Sequence, residues 1–268
     1  STLSPSSAAS DVYKRQLQYI LDDGFVTIDE IKDLKGKLPK GTYALTYGNL
    51  PWAFMSLLYG AGGTLENDMD DLTKDVWRKP MEKLKEAYDA GVIAPMDVDG
   101  EQAFGSGKAV FAQLGTWAQG NMSNTLGADK IAEANTLQYS ADNPVNFFYQ
   151  CNWMQLKDPH RSAAKSAAAA DFVKYVYEHW MDWSEVGSIS PAYRDLNNPE
   201  YQKLIQASFT NSKKERDYIK TSNYLYGGYA TAGWGTYNDI VYGNVGLEEG
   251  LKTLDLMAQG QIEIQEES

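Results

Sequence analysis

Short apolar stretches of strand composition alternate with longer stretches of helical periodicity along this chain. That alternation constrains the fold more than any single motif, and it defines an α/β protein. Thr27-Ile28-Asp29-Glu30 is a capping box, in which the Thr27 side chain accepts from a backbone N–H and Glu30 reaches back; a helix should follow to about Leu34. Gly41 to Tyr47 has strand composition and ends at Gly48. Pro51 to Tyr59 reads as a buried helix stopped by Gly60. Val76 to Ala90 sets Met81, Leu84 and Tyr88 on one face with Lys83, Lys85 and Glu86 elsewhere, a surface helix closed by Gly91. Ala109 to Leu114 suits a buried strand, and Asn146 to Leu156 is strand-like again. His160 to Trp180 places Ala163, Ala167, Ala170, Val173, Tyr177 and Trp180 at helical spacings. Asn198-Pro199-Glu200 is an N-cap followed by proline at the first helical position, opening a helix through about Ser208. Leu247 to Ala258 aligns Leu247, Leu251, Leu254 and Ala258 on one face, and no internal repeat is visible.

Composition removes several functions. The 268 residues suffice for one large domain or two modest ones. With 24 basic and 36 acidic residues the net charge is −12 and no basic run interrupts it, which excludes nucleic-acid binding and argues against an anionic membrane surface. The longest apolar run, from Leu50 to Gly63, is too short to span a bilayer. The single cysteine, Cys151, allows neither an internal disulfide nor a zinc or redox pair, and reads as a buried strand residue.

Catalytic and metal patterns fail residue by residue. Gly105-Ser106-Gly107-Lys108 has Gln102 where a phosphate loop needs its first glycine and Ala109 where it needs Ser or Thr. The acidic cluster Asp68, Asp70, Asp71 and Asp75 has Thr73 and Lys79 where a calcium loop needs Gly and Glu, so it reads as a solvated loop and helix start. His160 and His179 are the only histidines, too few for a zinc site with Cys151. No Gly-x-Ser-x-Gly elbow occurs. A pair of carboxylates across a cleft would suffice for a glycosidase, and the sequence singles out no pair.

Three tryptophans carry the positive signal. Trp52 follows Gly48-Asn49-Leu50-Pro51, Trp117 ends Leu114-Gly115-Thr116-Trp117, and Trp234 closes the glycine-rich run from Tyr226 to Gly235. Each has glycine or proline within a few residues, placing it at a loop or element end. There a ring can receive the apolar face of a pyranose while polar neighbours meet the hydroxyls; core packing is the alternative for each ring taken alone.

The order of these features resembles the extracellular solute-binding proteins of carbohydrate ABC importers, the family of maltose-binding protein. Phe25-Val26-Thr27-Ile28-Asp29-Glu30 is similar to the family's Thr-Trp-Asp-Glu helix start, with Ile28 for the tryptophan. Trp52 followed by Gly62-Gly63 resembles its aromatic-then-Gly-Gly segment. Phe104 to Phe111 with Leu114-Gly115-Thr116-Trp117 resembles "Phe-x-x-Gly-Lys-Ala-Ala-Met … Gly-x-Trp", the most specific stretch. Ala168 to Trp180, then Gly187 and Ser190-Pro191-Ala192, resembles a helix followed by "Ile-Pro-Ala-Arg", with Tyr193 for the arginine. Trp234 before the last helix resembles the C-terminal binding aromatic.

The resemblance covers about residues 25 to 260 and implies a periplasmic-binding-protein-like type II fold, two α/β lobes closing on a sugar by hinge motion. It implies a disordered or artefactual start at 1–26, a C-terminal lobe from 27–140 and 223–268, and a remainder of the N-terminal lobe at 141–222. The family has about a hundred further residues upstream. Residues 7–16 resemble a spurious assembly end, so an incomplete N-terminal lobe is the expectation, with the signal segment absent from this chain. Trp153, Phe147, Phe148, Val173, Tyr177 and Trp180 should then be partly exposed, while the C-terminal lobe packs fully.

The site implied is Trp52, Trp117 and Trp234 as sugar platforms, with Asn49 and Tyr229 as adjacent polar contacts. Trp153 and Asn152 read first as core, and Lys108 as a structural or surface residue. The function implied is non-catalytic capture of a mono- or oligosaccharide for a permease, without cofactor or metal, by a monomer that is periplasmic or lipid-anchored outside the cell membrane. A glycoside hydrolase and a surface glycan-adhesion module are the alternatives.

Overall fold

The computed structural model describes residues 24–47, 50–127, 130–147, 153, 155–186, 195–204, 207, 216–218 and 232–266. Its elements in chain order are α1 (Ile28–Asp33), β1 (Tyr43–Tyr47), α2 (Leu50–Gly60), α3 (Leu65–Asp68), α4 (Asp75–Asp89), α5 (Gly100–Gly105), β2 (Ala109–Gln113), α6 (Gln119–Leu126), β3 (Val145–Phe147), α7 (Ala163–Glu178), α8 (Trp180–Val186), β4 (Arg216–Tyr218), α9 (Trp234–Val241) and α10 (Leu247–Glu266). The chain separates by its own contacts into two units. One comprises Ser1–Leu114, Ala134–Phe148 and Ser212–Ser268; the other comprises Gly115–Glu133 and Tyr149–Asn211.

The first unit is built as its sequence dictates. The Thr27 hydroxyl accepts from the Glu30 N–H at 3.2 Å while the Glu30 carboxylate accepts from the Thr27 N–H at 2.8 Å, so the capping box is complete. β1 and β2 run parallel, with Tyr43 opposite Ala109 and Tyr47 opposite Gln113. The connection between them is the α-rich crossover that parallel pairing demands. Gly107, at φ +73°, closes α5 and turns the chain into β2, where the Lys108 carbonyl accepts from the Tyr43 N–H at 2.8 Å. The Gly-Ser-Gly-Lys run is therefore a helix stop and strand start, with the Lys108 side chain exposed.

α4 turns Trp77, Met81, Leu84 and Ala87 inward, all fully buried. Trp77 stacks on Phe54 of α2 with centroids 6.0 Å apart, and its indole N–H donates to the Asp68 carbonyl at 2.8 Å. α9 and α10 cover the same core through Tyr237, Ile240, Val241, Leu251, Leu254 and Ala258. Two hydrogen bonds tie α10 to the segment before α4: the Leu72 N–H donates to Asp255 Oδ1 at 3.0 Å, and Gln259 Nε2 donates to the Met69 carbonyl at 2.7 Å. Fully buried Gln138 clamps its neighbourhood, Nε2 donating to the Thr136 carbonyl and Oε1 accepting from the Val145 N–H, both at 2.6 Å. The acidic run is answered by bases: Lys74 pairs with Asp70 and Asp68, and Asp75 with Arg78 and Lys79.

From β3 onward, two elements depart from the sequence expectation. The helical periodicity of 160–180 forms α7, capped by Ser162, and no side chain of that helix is buried, in keeping with the partial exposure expected of Val173 and Tyr177. Val173 and Tyr177 are exposed and Trp180 is half-buried, tilted against Tyr201 at 5.7 Å. The proline-initiated segment makes only a 3-10 turn, Tyr201–Lys203. Asn198 Oδ1 accepts from the Glu200 and Tyr201 N–H groups as a cap should, but Leu204 is extended (ψ 146°), which stops propagation before Ser208. The strand expected from Asn146 to Leu156 is described as regular only in β3, which pairs in parallel with the three residues of β4; Gln155 and Leu156 lie outside any strand. Cys151, Asn152 and Phe148 lie outside the described residues, and Phe147 is described in its backbone alone.

Candidate functional site

Trp117 sits on the second unit. After β2 the chain passes Leu114 and Gly115 into a 3-10 turn, Thr116–Ala118, and then into α6. The turn is closed by the Ala118 N–H donating to the Gly115 carbonyl at 3.0 Å. Ala118 and Met122 are buried and anchor the turn, while Trp117 keeps 62% of its surface accessible. Its ring lies over Gly115: a Cβ built on that glycine would come 1.8 Å from the indole Cζ3 and 2.2 Å from Cε3.

Trp234 sits on the first unit as the opening residue of α9, with Gly233 as N-cap, and is 37% exposed. Two close approaches hold its helix on α10. A Cβ at Gly233 would lie 2.4 Å from Leu254 Cδ2, and one at Gly250 would lie 2.2 Å from Ile240 Cγ1. Tyr237 of α9 tilts against Phe54 of α2 at 5.4 Å. Helix position is thus fixed by glycine contacts and aromatic packing, and the first turn carries the ring.

Trp52 falls in the first turn of α2, described here in its backbone alone; Asn49 and Tyr229 lie outside the described residues. Trp153, read first as core, is 63% exposed and meets Phe172 of α7 edge-on at 5.6 Å. Two features escape a sequence reading. Gly115 seats the Trp117 ring, and only its adjacency in Gly-Thr-Trp hints at that. In the second unit, burial pushes the Glu133 carboxyl up to about 7, and nothing in the surrounding sequence distinguishes it from 35 other acids. In the first unit, burial raises the Tyr47 phenol well above its ordinary range, with Tyr242 adding to it.

Parallel strand pairs with the helices between them define an α/β protein, with Trp117 and Trp234 exposed at element starts. Residues 20–209 match the model of the family described as bacterial extracellular solute-binding protein, and the chain belongs to that family. Among solved structures it is similar to the cyclic alpha-maltosyl-1,6-maltose binding protein of Arthrobacter globiformis, at TM-score 0.60 and 18% identity over 88% of this chain and 64% of that one. It is also similar to a Streptococcus pneumoniae solute-binding protein in complex with the blood group A-trisaccharide, at TM-score 0.62 and 17% identity over 85% and 62%. A Listeria monocytogenes substrate-binding protein in complex with cycloalternan gives TM-score 0.64 and 12% identity over 89% and 64%. This chain therefore spans less than two thirds of the length of those structures. The fold is the periplasmic-binding-protein-like type II α/β fold expected from the sequence. No curated protein matches.

Proposed function

We propose that this chain captures a mono- or oligosaccharide and delivers it to the permease of an ABC importer, acting without chemistry on the sugar. The observation that carries the reading is Trp117: a large apolar ring left 62% exposed on a turn anchored by buried Ala118 and Met122. Such a ring on a rigid support matches the need of a pyranose face, and its indole N–H remains available to hydroxyls. Trp234 offers the same on the first turn of α9. Family membership and the oligosaccharides named for the similar structures support the same class of ligand.

In this reading Trp52, Trp117 and Trp234 are the platforms, and Asn49 and Tyr229 supply polar contacts. Residues 27–140 with 223–268 make up the C-terminal lobe and 141–222 belong to the N-terminal lobe; within the former, 115–133 is the stretch whose contacts group with 149–211. The protein works as a monomer outside the cell membrane, periplasmic or lipid-anchored. Calorimetric titration with maltotriose, cycloalternan and the blood group A-trisaccharide tests the reading, with mass spectrometry of the recovered sugars. Saturable binding and intact sugars are expected. Cleavage that disappears on changing one carboxylate would overturn it in favour of a hydrolase.

A further inference from the structure

Gly115 lies outside the positive-φ region, so no backbone requirement calls for glycine there. What calls for it is the indole. Cζ3, Cε3 and Cη2 of Trp117 fall 1.8, 2.2 and 2.3 Å from where a Cβ would stand, far inside any contact distance between carbon atoms. All three of these nearest atoms belong to the side chain of Trp117. A methyl group at 115 therefore displaces the ring while the turn, held by the Ala118 N–H and by buried Ala118 and Met122, has no reason to open.

We propose that Gly115 is a positioning residue for carbohydrate binding, selecting the Trp117 rotamer by giving the ring a flat backbone seat. This rests on the reading of Trp117 as a sugar platform. The Cε3–Cζ3–Cη2 edge of the indole is braced by the glycine while the ring stays 62% exposed. A ring so braced loses little rotamer freedom when a sugar stacks on it, which is how preorganisation strengthens binding. Without the seat the ring leaves this position, and each sugar must then select one orientation among several.

The test combines a ligand-free reading with a binding one. The protein is labelled with 5-fluorotryptophan, giving seven fluorine resonances, and that of Trp117 is assigned by its loss in Trp117→Phe. Gly115→Ala should shift the Trp117 resonance and its solvent isotope effect while the other six stay in place, which also certifies the fold. Affinity for maltotriose and the blood group A-trisaccharide should fall about tenfold, a part of the loss on removing the ring outright. The same glycine substitution made in Trp117→Ala should cost nothing further, and in Trp117→Phe less than in wild type. A Trp117 resonance that Gly115→Ala leaves unmoved overturns the proposal. So does a moved resonance with unchanged affinity in a protein where Trp117→Ala abolishes binding. If Trp117→Ala itself leaves affinity intact, or the wild type binds neither sugar, the platform reading fails together with the binding role, whatever the resonance shows.

Discussion

Removing the two described tryptophan platforms should weaken sugar binding unequally, and the structure sets the order. An indole side chain offers roughly 250 Å² of surface. At 62% exposure Trp117 has about 150 Å² free, and a sugar stacked on one face covers roughly half of that, about 75 Å². At about 25 cal/mol per Å² this is about 2 kcal/mol, roughly a thirtyfold change in Kd. Trp234, at 37% exposure, has about 90 Å² free and about 45 Å² to cover, near 1 kcal/mol or roughly sixfold. Trp117→Ala and Trp234→Ala, each titrated calorimetrically against the same oligosaccharide with the fold checked by circular dichroism, should therefore differ by about fivefold in Kd. Equal losses, or a larger loss at Trp234, would refute the area argument. Unchanged affinity in both would refute stacking on either ring.

Further outcomes follow from burial and close contact. Glu133 holds its proton in the folded state up to about 7 against an ordinary 4.5. Its protonated form favours folding fully below about pH 4.5, and that contribution is lost as the pH rises through 7, by at most about 3 kcal/mol before solvent screening. Urea midpoints should accordingly fall between pH 5 and pH 8, and Glu133→Gln should flatten that fall; an equally steep fall in the variant would count against the assignment. Trp77→Ala should cost about 3–5 kcal/mol in chemical denaturation, since it empties a fully buried site and strips the Asp68 carbonyl of its donor, and a loss below about 1 kcal/mol would contradict this packing. Gly250→Ala, which drives a methyl group into Ile240, should cost about 1–3 kcal/mol, and a neutral effect would show that α9 and α10 do not meet there.

The first unit was legible because its signals are local and agree with its packing. Thr27 and Glu30 make the box their spacing predicts, Gly91 ends α4 at φ +77°, and Leu251, Leu254 and Ala258 face inward as their periodicity requires. The second unit was legible in part. Periodicity at Ala163 to Tyr177 specifies a helix, but period alone does not say how deeply its face is covered, and here none of its side chains is buried. At Asn198 the cap forms and the helix does not, because propagation needs following residues that prefer the helix to the extended form Leu204 adopts. For the site, glycine and proline neighbours correctly located Trp117 and Trp234 at element starts; the seat on Gly115 depends on a side-chain rotamer that no sequence spacing encodes.

The bonds from α10 back to Met69 and Leu72 have a consequence for biosynthesis. They join residues 190 and 183 positions apart. At about 5–20 residues per second, Met69 waits about 10–40 s on the ribosome before Gln259 is made. Through that interval Phe54, Trp77 and Met81 lack the layer of Tyr237, Ile240 and Leu254 that seals them. Nothing local can close the shell earlier, because its lid is encoded 183 to 190 residues downstream of the segment it seals. The half-made unit is therefore a substrate for whatever binds apolar surface in the cell, chaperone or protease, and a nascent chain arrested before residue 247 would remain one.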